Sequence, residues 1–185
     1  MYSGAVLAGG ASRRFGEDKA LFVYQGKPLL LWVLESLRGA GERFIVANRP
    51  YVGFGVPVYP DLLPGADSLS GLHSALAHAR FPWVAVAATD LPFLTRGFWD
   101  FLYEQARASP YPVVAVYNPE GHLEPLMALY HKDCLPQVER QIREGDFRLG
   151  RVVEALGATY VAAEEVVARF GERVYLNANR RADLP

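Results

Sequence analysis

The segment Gly9–Lys19 contains the residue types that bind phosphate groups. It reads GGASRRFGEDK and follows an apolar run. Glycine adopts backbone conformations closed to other residues, and it lets main-chain N–H groups approach phosphate oxygens. Arg13 and Lys19 would bring two positive charges to the same place. The spacing fits neither the GxxxxGK[ST] nor the GxGxxG pattern, so the segment predicts either a phosphate site of another kind or a tight turn with solvated charges.

Asp90 is the second candidate for chemistry. It follows Trp83–Ala88, an apolar run WVAVAA with the length of a buried strand. A carboxylate that ends a buried strand beside a polyphosphate suits Mg²⁺, which takes one or two carboxylates together with phosphate oxygens and water. We therefore predict that Asp90 binds Mg²⁺. An aspartate that caps the turn before Pro92 is the alternative reading.

Short apolar runs alternate along the chain with longer segments of helical length and apolar spacing. The runs predicted to be strands are Gly4–Leu7, Arg43–Ala47, Val56–Tyr59, Trp83–Ala87, Pro112–Tyr117, Thr159–Ala162 and Val174–Leu176. The predicted helices are Pro28–Gly39, Ser70–Arg80, Thr95–Ala108 and Lys132–Glu144, with Thr95 as an N-cap and Gly39 as a stop signal.

Continuous apolar strands are typical of a mostly parallel sheet that helices cover on both faces. The sequence thus predicts an α/β fold, a Rossmann-like three-layer sandwich, with residues 1–185 in one domain. In such a sheet, ligands bind beyond the carboxyl ends of the strands. The residues that follow Leu7, Ala47, Tyr59 and Ala88 are therefore the ones expected to carry chemistry.

Composition excludes several classes of function. The 19 Lys and Arg residues against 20 Asp and Glu give a formal net charge of −1, without the positive field that attracts nucleic acid. The apolar runs are far shorter than the roughly 20 residues that cross a bilayer, and no signal peptide is apparent. The single cysteine, Cys134, suits a reducing compartment. We expect a cytoplasmic protein that binds neither nucleic acid nor membrane.

The string Leu7–Lys19 resembles the L-A-G-G-x-S-x-R-M-G-x-D-K signature of nucleotidyltransferases, and most closely that of the molybdenum cofactor guanylyltransferase (MobA) family. Phe15 departs from this pattern, where Met is usual. The GKPL segment at Gly26–Leu29 matches its continuation. In that family the loop wraps the GTP triphosphate. The resemblance implies a nucleotide cradle made of Leu7, Ala8, Gly9, Gly10, Arg13 and Lys19.

Two further segments resemble the nucleotide and metal motifs of the same family. Thr89–Pro92 (TDLP) is similar to its C-D-M-P or C-D-T-P motif, which implies that Asp90 binds the metal and the nucleotide. Val58–Asp61 and Leu69–Leu72 resemble its strand–Asp and glycine segments, which line the base and the sugar. The resemblance places Asp61 and Gly71 there. A carboxylate can accept the paired N–H groups of guanine, but the sequence leaves open whether Asp61 reaches the base or the ribose.

Asparagines mark two more positions. Asn48 and Arg49 resemble the A-N-R segment near the nucleotide, with a solvated turn as the alternative. Tyr175–Asn179 resembles the closing F-x-N-x-N motif, which implies that Asn177 and Asn179 lie toward the pterin substrate. Glu124–Tyr130 (EPLMALY) matches the strand that borders the site for that second substrate.

The resemblance implies a reaction that transfers GMP from GTP to the terminal phosphate of molybdopterin and releases pyrophosphate. Arg13, Lys19 and Asp90 would be the catalytic residues, with Mg²⁺ as the cofactor and GTP and molybdopterin as substrates. Molybdoenzyme chaperones or other cofactor-biosynthesis proteins are further candidate partners.

Two other functions remain open at this stage. The first is a molybdopterin cytidylyltransferase or a sugar-phosphate nucleotidyltransferase. Gly9 favours guanylyl transfer, because the cytidylyl relatives usually read L-A-A-G where this chain reads L-A-G-G. The second is a non-catalytic nucleotide-binding adaptor, which the joint presence of Lys19 and Asp90 disfavours.

Overall fold

The computed structural model describes residues 1–9 and 18–185 of the chain. Its strands are β1 (Ser3–Leu7), β2 (Val23–Tyr24), β3 (Lys27–Pro28), β4 (Glu42–Val46), β5 (Val58–Tyr59), β6 (Trp83–Ala88), β7 (Val113–Val116), β8 (Met127–His131) and β9 (Thr159–Val161). Its α-helices are α1 (Leu29–Ser36), α2 (Ser68–His78), α3 (Arg96–Ala108), α4 (Leu135–Glu144), α5 (Leu149–Leu156) and α6 (Ala163–Phe170). Short 3₁₀-helices lie at Lys19–Leu21, Lys132–Cys134, Glu172–Tyr175 and Arg181–Asp183.

Seven of these strands form one sheet in the order β5-β4-β1-β6-β8-β7-β9. Strand β8 runs antiparallel to both of its neighbours, β6 and β7, whereas the other pairs are parallel. The carboxyl ends of β1, β4, β5 and β6 consequently meet at one edge. Strands β2 and β3 form a separate hairpin whose turn residues, Gln25 and Gly26, have φ angles of 46° and 79°.

Helices cover both faces of the sheet because its strands are apolar on both sides. Apolar residues of α1, α3 and α6 pack with Val6, Ala85 and Ala87 on one face. Those of α2, α4 and α5 pack with Ala5 and Leu7, among others, on the opposite face. Successive strand residues point to opposite sides, so β1 and β4 to β8 contribute to both clusters. The predicted three-layer α/β architecture with a mostly parallel sheet is confirmed.

Most predicted elements are present with shifted ends, and one prediction is wrong. The run Val174–Leu176 was expected to be a strand, but Glu172–Tyr175 is a 3₁₀-helix that follows α6. Of the three residues in this run, only Val174 is fully buried. A single buried residue in a short segment suits one turn of helix better than a strand in the middle of a sheet. Helices α5 and α6, each of eight residues, were not predicted from the sequence.

The helix signals were partly correct. Thr95 is the N-cap of α3, since its Oγ1 accepts a hydrogen bond from the Phe98 N–H at 3.2 Å. Helix α1 ends at Ser36, three residues before the expected stop at Gly39. A Cβ at position 39 would lie 2.5 Å from Oδ1 of Asp100, so a larger residue there would displace that side chain.

The described part of the chain contains no helix that is both long and apolar enough to cross a membrane. Its longest α-helix, α3, has 13 residues.

Two buried serines of α2 attach the segment between β5 and α2 to the fold. The Ser70 hydroxyl accepts a hydrogen bond from the Ala66 N–H at 2.9 Å and donates one to the Leu63 carbonyl at 2.5 Å. Ser74 accepts a bond from the Leu62 N–H at 2.7 Å. Both side chains are fully buried, so these bonds satisfy backbone groups that would otherwise have no partner.

We predict that Ser70→Ala lowers the free energy of unfolding by about 1–3 kcal/mol, because it leaves a buried backbone N–H without an acceptor. Urea denaturation measures the change. Ser109→Ala is the control, since Ser109 also accepts from and donates to the backbone, at Tyr111 in an exposed turn, and in addition contacts the Thr159 hydroxyl at 2.8 Å. Equal losses in the two variants would show that burial of the Ser70 bonds does not matter.

Candidate functional site

A cleft of about 440 Å³ opens at the carboxyl ends of β1, β4, β5 and β6. This is the edge where an open α/β sheet binds its ligands. The residues that line the cleft come from the strand ends and the segments that follow them: Leu7, Ala8, Gly9, Asp18, Lys19, Ala20, Val46, Asn48, Asp61, Gly65, Asp67, Ser68, Gly71, Ala88, Thr89, Asp90 and Leu126.

Lys19 and Asp90 face each other in this cleft. The Lys19 Nζ lies 3.7 Å from Oδ2 of Asp90, and the two side chains are 22% and 25% exposed. Lys19 begins the 3₁₀-helix that leads to Leu21, and Asp90 follows the end of β6. The Asp90 carbonyl accepts a hydrogen bond from the Ala178 N–H at 2.8 Å, so the C-terminal segment holds the backbone at this position. The structure thus brings together two residues that lie far apart in the sequence.

The end of β1 supplies one wall of the cleft through Leu7, Ala8 and Gly9. The Ala8 N–H donates a hydrogen bond to the Val46 carbonyl at 3.0 Å. Because this N–H is already bonded within the sheet, Ala8 would contact a ligand through its other atoms. Gly10 and Arg13, also predicted to belong to the nucleotide cradle, lie outside the described residues.

Asn48 and Asp61 form a reciprocal pair at the ends of β4 and β5. The Asn48 Nδ2 donates to Oδ2 of Asp61, and Oδ1 of Asn48 accepts from the Asp61 N–H, both at 2.9 Å. Within residues 1–9 and 18–185, no donor reaches the second carboxylate oxygen of Asp61. Asn48 therefore fixes the orientation of a carboxylate that retains acceptor capacity toward the cleft.

Gly71 lies on the first turns of α2, where the helix touches the end of β1. A Cβ at this position would lie 3.0 Å from Cδ1 of Leu7, which is closer than ordinary van der Waals contact. The absence of a side chain lets α2 approach β1 and lets Gly71 itself line the cleft. Nearby, Asp67 is a non-glycine residue with a φ of 50°, and its place in the cleft was not predicted from the sequence.

The two C-terminal asparagines flank Ala178, the residue whose N–H reaches the Asp90 carbonyl. Neither side chain lines the cleft. The Asn177 Nδ2 donates to the Tyr175 carbonyl at 3.5 Å, and Asn179 is exposed. They lie beside the strand end that carries Asp90 rather than within the cleft.

Glu124 is a half-buried acidic group next to this region. Burial raises the pKa of Glu124, the negative charge of Asp90 raises it further, and a hydrogen bond from Asn118 opposes both effects. That bond joins the Asn118 Nδ2 and Oε1 of Glu124 at 2.8 Å. Leu126, two residues along the chain, lines the cleft. The segment that leads into β8 thus places a second acidic group close enough to Asp90 to sense its charge.

The carboxylates of the cleft are the candidate ligands for a divalent cation. No group of three or more His, Cys, Asp or Glu side chains among the described residues could enclose a metal. Among the cleft carboxylates, Asp18 already accepts bonds from Tyr51 and Arg49, and Asp61 is bonded to Asn48. Asp90 is left with a loose ion pair. Asp67 is the fourth carboxylate of the cleft. One or two available carboxylates suit a cation such as Mg²⁺, which completes its coordination with phosphate oxygens and water.

Comparison with known proteins agrees with this geometry. Residues 4–160 match the model of the MobA-like NTP transferase domain. A relative from Deinococcus radiodurans, named probable molybdenum cofactor guanylyltransferase, is 39% identical over 97% of this chain and 90% of its own length. A relative of the same name from Pyrococcus furiosus is 32% identical over 100% and 95%.

Solved structures share the fold. Molybdopterin-guanine dinucleotide biosynthesis protein A from Archaeoglobus fulgidus aligns with a TM-score of 0.85 at 28% identity, covering 98% of this chain and 94% of that one. The 2-C-methyl-D-erythritol 4-phosphate cytidylyltransferase from Thermus thermophilus aligns with a TM-score of 0.71 at 19% identity, over 100% and 96%, which is a likeness of fold alone. From the matched domain and the full-length relatives, we conclude that this chain belongs to the MobA-like NTP transferase family.

Proposed function

We propose that this protein transfers GMP from GTP to the terminal phosphate of molybdopterin, releasing pyrophosphate and forming the guanine dinucleotide form of the cofactor. The observation that carries the proposal is the approach of Lys19 and Asp90 to 3.7 Å in the cleft at the strand ends. A cation and a carboxylate at that edge are the groups that a triphosphate and its metal require. Relatives that carry the guanylyltransferase name over nearly their whole length support the same reaction.

The main obstacle to this reaction is electrostatic. Two unit negative charges about 4 Å apart repel each other by about 4 kcal/mol at an effective dielectric constant of about 20, and both substrates carry several charges. Lys19 offsets part of this repulsion at the triphosphate, and Arg13 is proposed to do the same. Because Lys19 lies in the cleft before the substrates meet, it would stabilise charge that develops on the α-phosphoryl group and on the departing pyrophosphate.

The acceptor needs no strong base in this mechanism. A phosphate monoester has a second pKa of about 6 and is largely ionised at neutral pH. An oxygen of the molybdopterin phosphate attacks the α-phosphorus of GTP, and the bond from that phosphorus to the bridging oxygen of the β-phosphate breaks. The enzyme's task is to align the two reacting groups.

Members of this family commonly use a divalent metal, and we propose Mg²⁺ held by Asp90. When bound, the cation would neutralise phosphate charge and polarise the α-phosphoryl group. Asp90 is the residue that would hold it, and Lys19 would contact the phosphates. The backbone bond from Ala178 holds Asp90 at its place in the cleft.

Asp61 is the residue proposed to select the nucleotide. Asn48 donates one hydrogen bond to Oδ2, and because an ionised carboxylate has about four acceptor sites, Asp61 can still accept from the paired N–H groups of guanine or from a ribose hydroxyl. Cytosine offers no pair of parallel N–H groups, so a carboxylate at the base edge favours guanine. Gly71 and Gly9 line the same cleft. Asn177 and Asn179 are proposed to act on the pterin side of Asp90.

We infer that residues 1–185 act as one domain. Seven strands between Ser3 and Val161 form a single sheet, and the C-terminal segment returns to the end of β6 through the bond between Ala178 and Asp90. A net charge of −1 and a lone cysteine suit a cytoplasmic enzyme with small-molecule substrates. Proteins that supply the pterin or receive the product are proposed partners.

The proposal is tested by measuring pyrophosphate release from each of the four nucleoside triphosphates in the presence of purified molybdopterin and Mg²⁺. We expect release with GTP, and a product that contains GMP joined to the pterin. Release with CTP alone would make the protein a cytidylyltransferase. Nucleotide binding without release from any triphosphate would make it a binding protein.

We predict that Asp90→Asn lowers kcat by at least about 10²-fold, the usual effect of removing a group that stabilises transition-state charge. The free energy of unfolding should fall by no more than about 1 kcal/mol, because the lost ion pair is partly exposed. Asp100→Asn is the control, since Asp100 accepts a bond from Tyr2 outside the cleft. Wild-type turnover by Asp90→Asn at saturating Mg²⁺ would refute the metal role.

Lys19→Met should weaken GTP binding much more than GMP binding, because the ammonium group is proposed to contact the triphosphate. Isothermal titration calorimetry with both nucleotides measures the difference. Lys27→Met provides the control, as its ammonium group pairs with Glu35 and lies 3.8 Å from the centre of the Trp32 ring. If both nucleotides lost affinity equally with Lys19→Met, the assignment to the phosphates would be wrong.

A further inference from the structure

The Asp18 carboxylate accepts three hydrogen bonds, although no role follows for it from the proposed chemistry. Oδ2 accepts from the Tyr51 hydroxyl and from Nη1 of Arg49, both at 2.9 Å. Oδ1 accepts from the Ala20 N–H at 3.1 Å. The side chain is 16% exposed. A carboxylate with three donors is held in one orientation, and this one lies immediately before Lys19.

The bond to Ala20 makes Asp18 the N-cap of the 3₁₀-helix Lys19–Leu21. A side-chain oxygen at this position satisfies a backbone N–H that has no partner within the helix. Ala20 is buried, so its N–H depends on this acceptor. The turn that presents Lys19 to the cleft is therefore fixed by the orientation of the Asp18 carboxylate.

Tyr51 connects this carboxylate to the sheet. Its hydroxyl lies 2.9 Å from Oδ2 of Asp18 and 3.3 Å from the carbonyl oxygen of Ala8, just beyond β1. A phenol has one proton to donate, and the shorter contact to a charged acceptor takes it. Burial raises the pKa of Tyr51 and the Asp18 charge raises it further, so the hydroxyl keeps its proton at neutral pH.

The Tyr51 ring is anchored independently of this bond. It is 5% exposed within the core cluster on the α1 face, and it meets the Phe54 ring edge-on at 6.2 Å between centroids. Removal of the hydroxyl alone should therefore leave the ring packed. Arg49, by contrast, is 62% exposed, and an exposed ion pair contributes little.

We propose that Tyr51 is a positioning residue for the reaction: through Asp18, it holds the turn that aims Lys19 at the phosphates bound near Asp90. The inference rests on the proposed function for the identity of the ligand. The connection from Tyr51 to Asp18 and from Asp18 to Ala20 is a property of the fold and can be measured without any substrate.

The first test is amide hydrogen exchange by NMR on the full chain without nucleotide. Tyr51→Phe should accelerate exchange of the Ala20 amide, because Asp18 loses the donor that orients it. Asp18→Asn is the second variant and should have the same effect, and it keeps the test valid should Tyr51→Phe fold poorly. Unchanged exchange at Ala20 in the folded variants would overturn the proposal.

Tyr2→Phe is the matched control. Tyr2 is also a buried tyrosine whose hydroxyl donates to an aspartate, Oδ1 of Asp100 at 3.2 Å, but it lies at the opposite end of β1. It should lose stability much as Tyr51→Phe does, without any change in exchange at Ala20. Equal acceleration at Ala20 in both variants would assign the effect to global destabilisation and would overturn the positioning role.

The second test measures affinity for GTP and for GMP by calorimetry. Tyr51→Phe should weaken GTP binding about tenfold, which is the usual contribution of a hydrogen bond to a charged group, and should leave GMP binding near that of the wild type. Faster exchange at Ala20 together with unchanged GTP affinity would refute the link to the phosphates. A wild-type protein that binds no nucleoside triphosphate would refute the proposed function instead, while the exchange measurement would still decide whether Tyr51 holds the turn.

Discussion

The register of the parallel strands is the constraint on which the site depends. Leu7 pairs with Val46 on one side and with Ala88 on the other, and Val46 pairs with Tyr59. The last residues of four strands therefore lie in one row. Every polar residue of the cleft that follows a strand is delivered to the same place by this alignment. A shift of one residue in a single strand would turn its side chains to the opposite face and would scatter the site.

The strand register brings the charged residues together. Hydrogen bonds then hold these residues in orientations in which they can still bind a ligand. Asp61 is oriented by Asn48, Asp18 by Tyr51, and the backbone of Asp90 by Ala178. The first two bonds orient a carboxylate through a neutral donor, and the third holds a backbone carbonyl. This matters because a carboxylate locked in a tight ion pair has little affinity left for a metal or a base edge. The 3.7 Å separation of Lys19 and Asp90 fits the same pattern, since it exceeds the length of a hydrogen bond.

The sequence predicts the strand ends well because buried parallel strands leave a continuous apolar signal, as Trp83–Ala88 shows. It predicts the convergence of Lys19 and Asp90 because strand ends share an edge. It gives no sign of the Tyr51 contact, since an isolated tyrosine after a loop has no periodicity and its partner is 33 residues away. The prediction of a strand at Val174 is wrong for a related reason: a run of three apolar residues is too short to show the periodicity of a strand or of a helix.

The division of roles among the cleft carboxylates follows from their neighbours rather than from their residue type. Asp18 receives three donors and can only orient a backbone turn. Asp61 receives an amide donor on one oxygen and retains an acceptor for a neutral hydrogen-bonding group. Asp90 faces the Lys19 ammonium group at 3.7 Å, beyond hydrogen-bond length. Chemically identical side chains within one cleft thus differ in the acceptor capacity that they retain, and this difference is the physical basis for proposing support, nucleotide selection and metal binding as their separate roles.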